Sequence, residues 1–506
     1  MTTRSAFPSG LLRAADRPAT AHVVLVGLVV SLVLAVLAMA RPIDHDESQY
    51  VAATVLAQHG LPYRDFAYLQ TPLQPLLLAP IAAVMATFVY PGLRLLNALF
   101  GTVILLSVYV AARRAGASVR TAFFAAAMLG CCDIFLFSVG VARNDALPAM
   151  LLALALAMAL HRPEDGGSRD DGQSRRDAAL IGLLLAAATA AKISYALPAI
   201  AYGGWALANR RARPIWVALG AVPVALFVLR LAAMAPDQFV FQVLTFPSAA
   251  PAEWYQATGR AAKLTLGYKV LDSVKFLALG PALLALAVVA RHCRIAPVMT
   301  LLGLLVGAGL AAGLIPSPTW RQYLLPILPA LFVALAVIWE RQAPGRMMRI
   351  LVVIFACAGV APTIDGLRLA GRDGLPMITA FRHSIAIRRV MDLQGVSGPV
   401  ATLSPQYVPA TGRTIDPYFA TGPFYFRSHG LLDRADEGRN RLVSADHFNI
   451  GQQAIGAIMV GGERSVRGQD RLDLALERRA IVAGWRKVIV PDSPFCLYLP
   501  GTPPAR

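Results

Sequence analysis

Charge is what this sequence has least of: Asp, Glu, Lys and Arg make up 15% of its 506 residues, against 57% apolar ones. Ordinary soluble domains carry about a quarter charged residues. With a mean hydropathy of +0.57, the composition excludes a water-soluble fold for most of the chain and implies an integral membrane protein with many spans. Acids are scarcer than bases, 29 against 47, for a net charge of +18. Such an excess could indicate nucleic acid, but much of the Arg and Lys falls in short connections between apolar runs, where it sets topology and meets anionic headgroups. Membrane lipids are the expected partner, and no nucleic acid. Cysteine is sparse, at five residues. Cys131, Cys132, Cys293 and Cys357 lie in or beside apolar runs and Cys496 stands alone in the polar C-terminal part, a pattern without zinc-ligand or disulfide-framework spacing. No second histidine lies at ligand spacing from His45.

What is there is an acidic cluster in an expensive place. Residues 21–40 are apolar and long enough to cross a bilayer at 1.5 Å per residue, and Asp44, Asp46 and Glu47 follow directly. Ahead of the span stand Arg4, Arg13 and Arg17 against the single acid Asp16, so the positive-inside rule puts residues 1–20 in the cytoplasm and the acids outside. The Ala38-Met39-Ala40 ending imitates a signal-peptidase site, but the apolar run is longer than a signal h-region; an uncleaved anchor is expected.

The same rule orders the rest. Residues 49–58 fit a short amphipathic helix, the aromatic stretch 61–75 an interfacial loop, and the proline-broken run 76–90 a juxtamembrane or re-entrant helix, so that 41–92 forms a first external region. Spans are expected at 93–112, 121–140 and 146–160, followed by a polar cytoplasmic loop to about 177. Residues 178–209 read as two short helices turning near Lys192 on the outer side. Residues 215–235 go out, and 236–270 form an external loop rich in aromatics. Further spans near 271–290, 296–315, 322–339 and 350–363 bring the count to about eleven. An odd count leaves 364–506 outside as a small α/β domain; no internal repeat and no catalytic motif is legible in it. The expected architecture is thus an all-α polytopic membrane domain over 21–363 with an extracytoplasmic C-terminal domain. The excess of Arg over Lys and the abundance of Ala point to a GC-rich bacterial genome, hence to a bacterial inner membrane with the active site periplasmic.

This topology gathers Asp44, Asp46, Glu47, Arg143, Asp145, Lys192, Arg321 and Tyr323 on one face. Carboxylates and cations converging there suit transfer to a hydroxyl acceptor from an anionic lipid-linked donor: one carboxylate can take the hydroxyl proton, and the cations can neutralise the departing phosphate.

The stretch IDHDESQYVAATVLAQHGLPYRDFAYLQTPLQPLLLAP resembles the first external loop of the GT-C superfamily of polytopic glycosyltransferases, nearest to the protein O-mannosyltransferase and lipid A aminoarabinose transferase group. The matching residues are Asp46, Glu47 and Tyr50, then Gly60, Pro62, Tyr63, Asp65 and Phe66, then Pro72 and Leu73. Thr71-Pro72 stands where the group often has two prolines. VARNDALPAM resembles the second external acidic site, mapping to Asp145, and WRQYLLPILPAL a late helix start, mapping to Arg321 and Tyr323. The resemblance covers roughly residues 20–340. It implies an inverting glycosyltransferase that moves a hexose or pentose from a polyprenyl-phosphate sugar to a glycan, lipid or protein hydroxyl. Asp46 is expected as general base, with Glu47 and Asp145 orienting the acceptor or the base. Tyr50, Tyr63, Arg64, Arg143, Lys192, Arg321 and Tyr323 are expected to bind substrate. No metal is expected to be required, although carboxylates of this kind could hold Mg²⁺ or Mn²⁺. The competing classes are a transporter or flippase of a lipid-linked anion, disfavoured because the ionisable groups cluster at one face rather than at the midplane, and a non-catalytic scaffold with the carboxylates as surface charge.

Overall fold

The computed structural model describes residues 20–160, 173–292, 295–450, 454–463 and 470–501. The N-terminal arginines and most of the polar loop after residue 160, on which the inside-outside expectation leans, lie outside the described residues.

The chain is built almost wholly of helices, in the order α1 (Thr20–Ala40), α2 (Glu47–Leu56), α3 (Leu73–Met85), α4 (Val89–Arg114), α5 (Val119–Gly130), α6 (Asp133–Val139) and α7 (Ala146–Ala159). Then come α8 (Arg175–Ala191), α9 (Ala196–Ala208), α10 (Pro214–Met234), α11 (Pro236–Val240), α12 (Phe246–Ala257), α13 (Leu266–Ala278) and α14 (Ala282–Arg291). The last long helices are α15 (Val298–Leu314), α16 (Leu328–Arg341), α17 (Arg346–Asp373) and α18 (Pro376–Leu393). Five stretches among the described residues are long and apolar enough to cross a membrane singly, and seven if α5–α6 and α13–α14, bent by 71° and 100°, each count as one; α7 and α15 are shorter apolar helices. Burial follows apolarity in the expected way. In α16 every residue from Leu328 to Ile338 is buried, as a helix apolar on all sides must be if it runs through the middle of a bundle, whereas α1 turns Leu25, Leu28 and Leu32 outward.

Two crossings show how closely the helices approach. A Cβ on Gly182 of α8 would stand 1.9 Å from the Val217 carbonyl oxygen, and one on Gly220 of α10 1.8 Å from that of Ala179. These small residues let two backbones touch where larger ones would hold them apart.

One expectation holds and two change. The break at Lys192 is present, between α8 and α9. Residues 236–257, by contrast, are helical rather than a loop: α11 and α12 are joined by a π-helical stretch, Phe241–Thr245. Pro247 lacks an N–H and its ring would crowd the carbonyl four residues earlier, a conflict that a wider turn relieves without ending the helix. The boundary drawn at 364 falls inside α17, which continues to Asp373.

Beyond α18 a four-stranded sheet forms from β1 (Val400–Thr402), β2 (Ala457–Val460), β3 (Arg486–Ile489) and β4 (Cys496–Leu499), in the order β1-β2-β4-β3. β1 and β2 are parallel; β4 is antiparallel to both its neighbours. Short helices α19 (Pro423–Arg427) and α20 (Arg434–Arg439) precede β2, and α21 (Asp470–Val482) precedes β3. This domain is not a separate body. Val400, Met459, Phe495 and Leu497 from the sheet share one apolar core with Val51, Ala52, Leu78 and Leu93 from α2, α3 and α4.

Candidate active site

The acidic loop after α1 divides its carboxylates between two networks. Glu47, at the start of α2, is fully buried. Its Oε1 accepts from Arg94 Nε at 2.7 Å and from the Ala142 backbone N–H at 2.6 Å; its Oε2 accepts from Arg94 Nη2 at 2.6 Å, Tyr90 OH at 2.7 Å and the Asp44 backbone N–H at 3.0 Å. Arg94 in turn donates to the carbonyls of Ala38, Arg41 and Pro42. A carboxylate has about four lone-pair sites, and all are used. The lone pairs of Glu47 are thus taken up within the protein, and it fixes the path of the chain between α1 and α2. Sequence reasoning missed Arg94 as its partner. The available signal was an arginine inside the apolar run of α4, which is expensive unless paired.

Asp46 and Asp145 belong to the second network. Arg143 reaches both, donating from Nη1 to Asp46 Oδ2 and from Nε to Asp145 Oδ2 at 3.1 Å, and its Nη1 also lies 3.5 Å from Asp44 Oδ1. Asp145 Oδ1 takes Lys192 Nζ. Lys192 sits in the break between α8 and α9 and stands 5.5 Å over the Tyr323 ring, while Arg143 lies 5.9 Å from the Tyr50 ring centre. Asp145 and Lys192 are almost wholly buried, and Asp46 is partly open, with 19% of its side chain exposed. Burial alone would raise the Asp46 carboxyl, but the Arg143 guanidinium, with His45 and Arg427, holds it well below the usual carboxylate range. Asp46 is thus ionised, and its remaining lone pairs can accept a proton.

A third group of charges adjoins these two. The Phe137 ring in α6 carries three guanidiniums: Arg321 at 3.6 Å, Arg41 at 5.4 Å and Arg143 at 5.6 Å from its centre. Arg321 donates to the buried Asp133 at 2.9 Å. Arg41 donates to Thr363 Oγ1 at 3.4 Å, and its pKa is pushed down to about 10, first by burial and then by Arg321. Cations massed beyond their nearby anions are what a phosphate would relieve. Asp133 was not legible, because it stands at the 71° bend between α5 and α6.

Two expected residues stand elsewhere. Tyr63 is fully buried, donates its hydroxyl to the Gln70 carbonyl at 2.7 Å and packs edge-on against Phe239; at φ +70° it shapes the loop rather than facing a ligand. Arg64 forms a two-pronged pair with its neighbour Asp65 in solvent. Asp44, His45 and Asp46 hold three candidate ligand atoms within 4.8 Å of one another. In this arrangement Arg143 lies on both carboxylates and His45 Nε2 is 3.0 Å from Asp46 Oδ1. Around Asp145 several buried polar atoms have no hydrogen-bond partner among the described residues, including Tyr68 OH and Asn144 Oδ1.

No protein-family model and no curated protein sequence matches this chain. Solved structures do. ArnT from Cupriavidus metallidurans, a lipid A aminoarabinose transferase crystallised with undecaprenyl phosphate, is similar over 95% of this chain and 98% of its own, with a TM-score of 0.60 at 15% identity. Its apo structure covers the same shares with a TM-score of 0.60 at 14% identity. The Saccharomyces cerevisiae protein O-mannosyltransferase complex Pmt1-Pmt2 aligns over only 46% of this chain and 34% of its own, at 17% identity and a TM-score of 0.32. The fold is therefore that of the GT-C membrane glycosyltransferases, a multi-pass helical bundle carrying a small C-terminal sheet, as the resemblance of the acidic loop implied.

Proposed function

We propose that this protein is an inverting membrane glycosyltransferase that uses a polyprenyl-phosphate sugar. The observation that carries the proposal is Arg143 joined to both Asp46 and Asp145, acids from separate hairpins, in a mostly buried cluster beside further cations. An acceptor hydroxyl attacks the anomeric carbon and gives its proton to Asp46; the bond from that carbon to the phosphate oxygen breaks, and the lipid phosphate leaves with the electron pair. Asp46 serves as base without a raised pKa, because the hydroxyl loses its proton only as the new bond forms. Arg321 and Arg41 are placed to receive the phosphate, since a guanidinium can take two oxygens at once. Lys192 and Arg143 hold Asp145 in place, so Asp145 orients the acceptor. Tyr50 and Tyr323 flank these charges as aromatic walls, and the Tyr68 hydroxyl and Asn144 oxygen, without a partner among the described residues, suit a polyhydroxyl ligand. The reaction needs no metal, because a monophosphate facing guanidiniums is already neutralised. ArnT was crystallised with undecaprenyl phosphate, which supports a lipid of that class as the carrier here. The site and the C-terminal domain are assigned to the periplasmic side of a bacterial inner membrane, with a glycan, lipid or protein as acceptor.

The test is purified protein in lipid, given polyprenyl-phosphate sugars and assayed for release of polyprenyl phosphate. Release that requires Asp46 is expected. No release from any donor points instead to a transporter of a lipid-linked anion. For orientation, single cysteines at Arg64 and Arg120 are expected to label from opposite sides of the membrane.

A further inference from the structure

The C-terminal domain reaches the acidic loop at α19. Arg427, at the end of α19, has a guanidinium nitrogen 3.5 Å from His45 Nε2, the same ring nitrogen that stands 3.0 Å from Asp46 Oδ1. The guanidinium is fixed by stacking, its centre 4.7 Å from the Phe424 ring and 5.4 Å from that of Trp254 in α12. Phe424 stacks in turn on His45, centroids 6.2 Å apart and 25° from parallel. The segment is pinned to α12 by Ser428 Oγ donating to the Ala250 carbonyl at 3.2 Å and the Gly430 N–H donating to Glu253 at 3.0 Å. It is pressed against α2 at Gly422, where at φ +57° a Cβ would stand 2.4 Å from Ser48 Oγ.

One imidazole nitrogen cannot serve both neighbours. With its proton, Nε2 donates to Asp46 and meets Arg427 as a second donor. Without it, Nε2 accepts from Arg427 and turns a lone pair toward the carboxylate. Resting on the assignment of Asp46 as the base, we propose that Arg427 is a positioning residue for Asp46, acting through His45, so that the C-terminal domain is part of the catalytic machinery.

The surrounding charges give the direction. His45 faces Asp44 and Asp46 from its own loop, Arg143 across Asp46, and Arg427 and Glu463 from the C-terminal domain, with Tyr255 and Arg260 behind Arg427. Burial lowers the imidazole's affinity for a second proton, Asp46 outweighs it, and Arg427 opposes Asp46. Glu463 is pushed up to about 7 by burial, against the pull of His45 and Arg427. Arg427 thus limits how firmly a charged His45 ties up the carboxylate. Without it the imidazolium persists to higher pH and Asp46 is occupied.

The full chain in lipid nanodiscs, labelled with ¹⁵N-histidine, reads this directly, with H45Q identifying the His45 ring signal. In R427Q the His45 midpoint is expected to move to higher pH, in R427K to stay near that of the parent, and in E463Q to move to lower pH. The acidic limb of kcat for sugar transfer is expected to move the same way in each, with R427K restoring the rate; a purely structural arginine would lower the rate without moving the limb. A His45 midpoint unmoved or lowered in R427Q overturns the proposal. If R427Q does not fold, E463Q decides it by the opposite sign, an unmoved or raised midpoint overturning it. Midpoints that move as expected while no polyprenyl-phosphate sugar is consumed keep the coupling of Arg427 to His45 but remove the proposed function, and the positioning role with it. Transfer with unmoved midpoints does the reverse.

Discussion

Glu47 and Arg94 form a two-pronged ion pair closed completely to solvent, Nε to Oε1 at 2.7 Å and Nη2 to Oε2 at 2.6 Å. Removing one partner of a buried pair leaves an uncompensated charge, at a cost of roughly 3–5 kcal/mol. Arg94→Ala is therefore expected to lower the unfolding temperature sharply in lipid or detergent. Arg64→Ala, at an exposed pair, should leave it unchanged, and equal effects would contradict the division of roles.

Asp46→Asn keeps the shape of the side chain and removes the proton acceptor. Transfer is expected to fall by about 10²–10⁴-fold with the unfolding temperature nearly preserved. Asp145→Asn, which leaves the buried Lys192 with a weaker partner, should cost both rate and stability.

Chelation is a further check. With Arg143 on both Asp44 and Asp46, excess EDTA is expected to leave transfer unchanged; loss of activity restored by Mg²⁺ or Mn²⁺ would show that a cation displaces the guanidinium.

At the α8–α10 crossing the atoms in the way are backbone, which cannot swing aside. Gly182→Val is expected to abolish folded protein, as judged by a monodisperse peak in size-exclusion chromatography. Gly203→Ala, where nothing lies within 4 Å, should be tolerated.

Glu463 makes stability depend on pH. Burial raises its carboxyl in the folded chain from 4.5 to about 7, so between those values the native state holds a proton that the unfolded state has lost. Its contribution is complete below about 4.5 and is lost as pH rises toward 7. The unfolding temperature of E463Q should fall less over that interval than the parent's.

How much of this was readable follows the distance along the chain over which each contact acts. The acidic loop, the break at Lys192 and the cations after α6 and before α16 are local features, and the positive-inside rule put them on one face. That Asp46 and Asp145 share a single guanidinium needed the bundle. The roles within IDHDESQYV did not follow from adjacency: successive residues on a tight turn point in different directions, so Glu47 faces Arg94 in the interior while Asp46 faces the open side. Helix α12 reads as a loop in the sequence because of its prolines, which the structure accommodates after a π-helical stretch, Phe241–Thr245. Arg427 carried no signal at all, lying in a stretch of short turns whose position is set by the sheet.

The apolar core shared between the sheet and α2, α3 and α4 means that neither half can be cut free. A chain stopped after α17 would leave Val51, Leu78 and Leu93 uncovered at the membrane surface, and the sheet made alone would present Val400, Met459 and Leu497 to water. The two halves must be inherited, expressed and engineered as one object, and exchanging C-terminal segments between proteins of this fold would succeed only where that seam is exchanged with them.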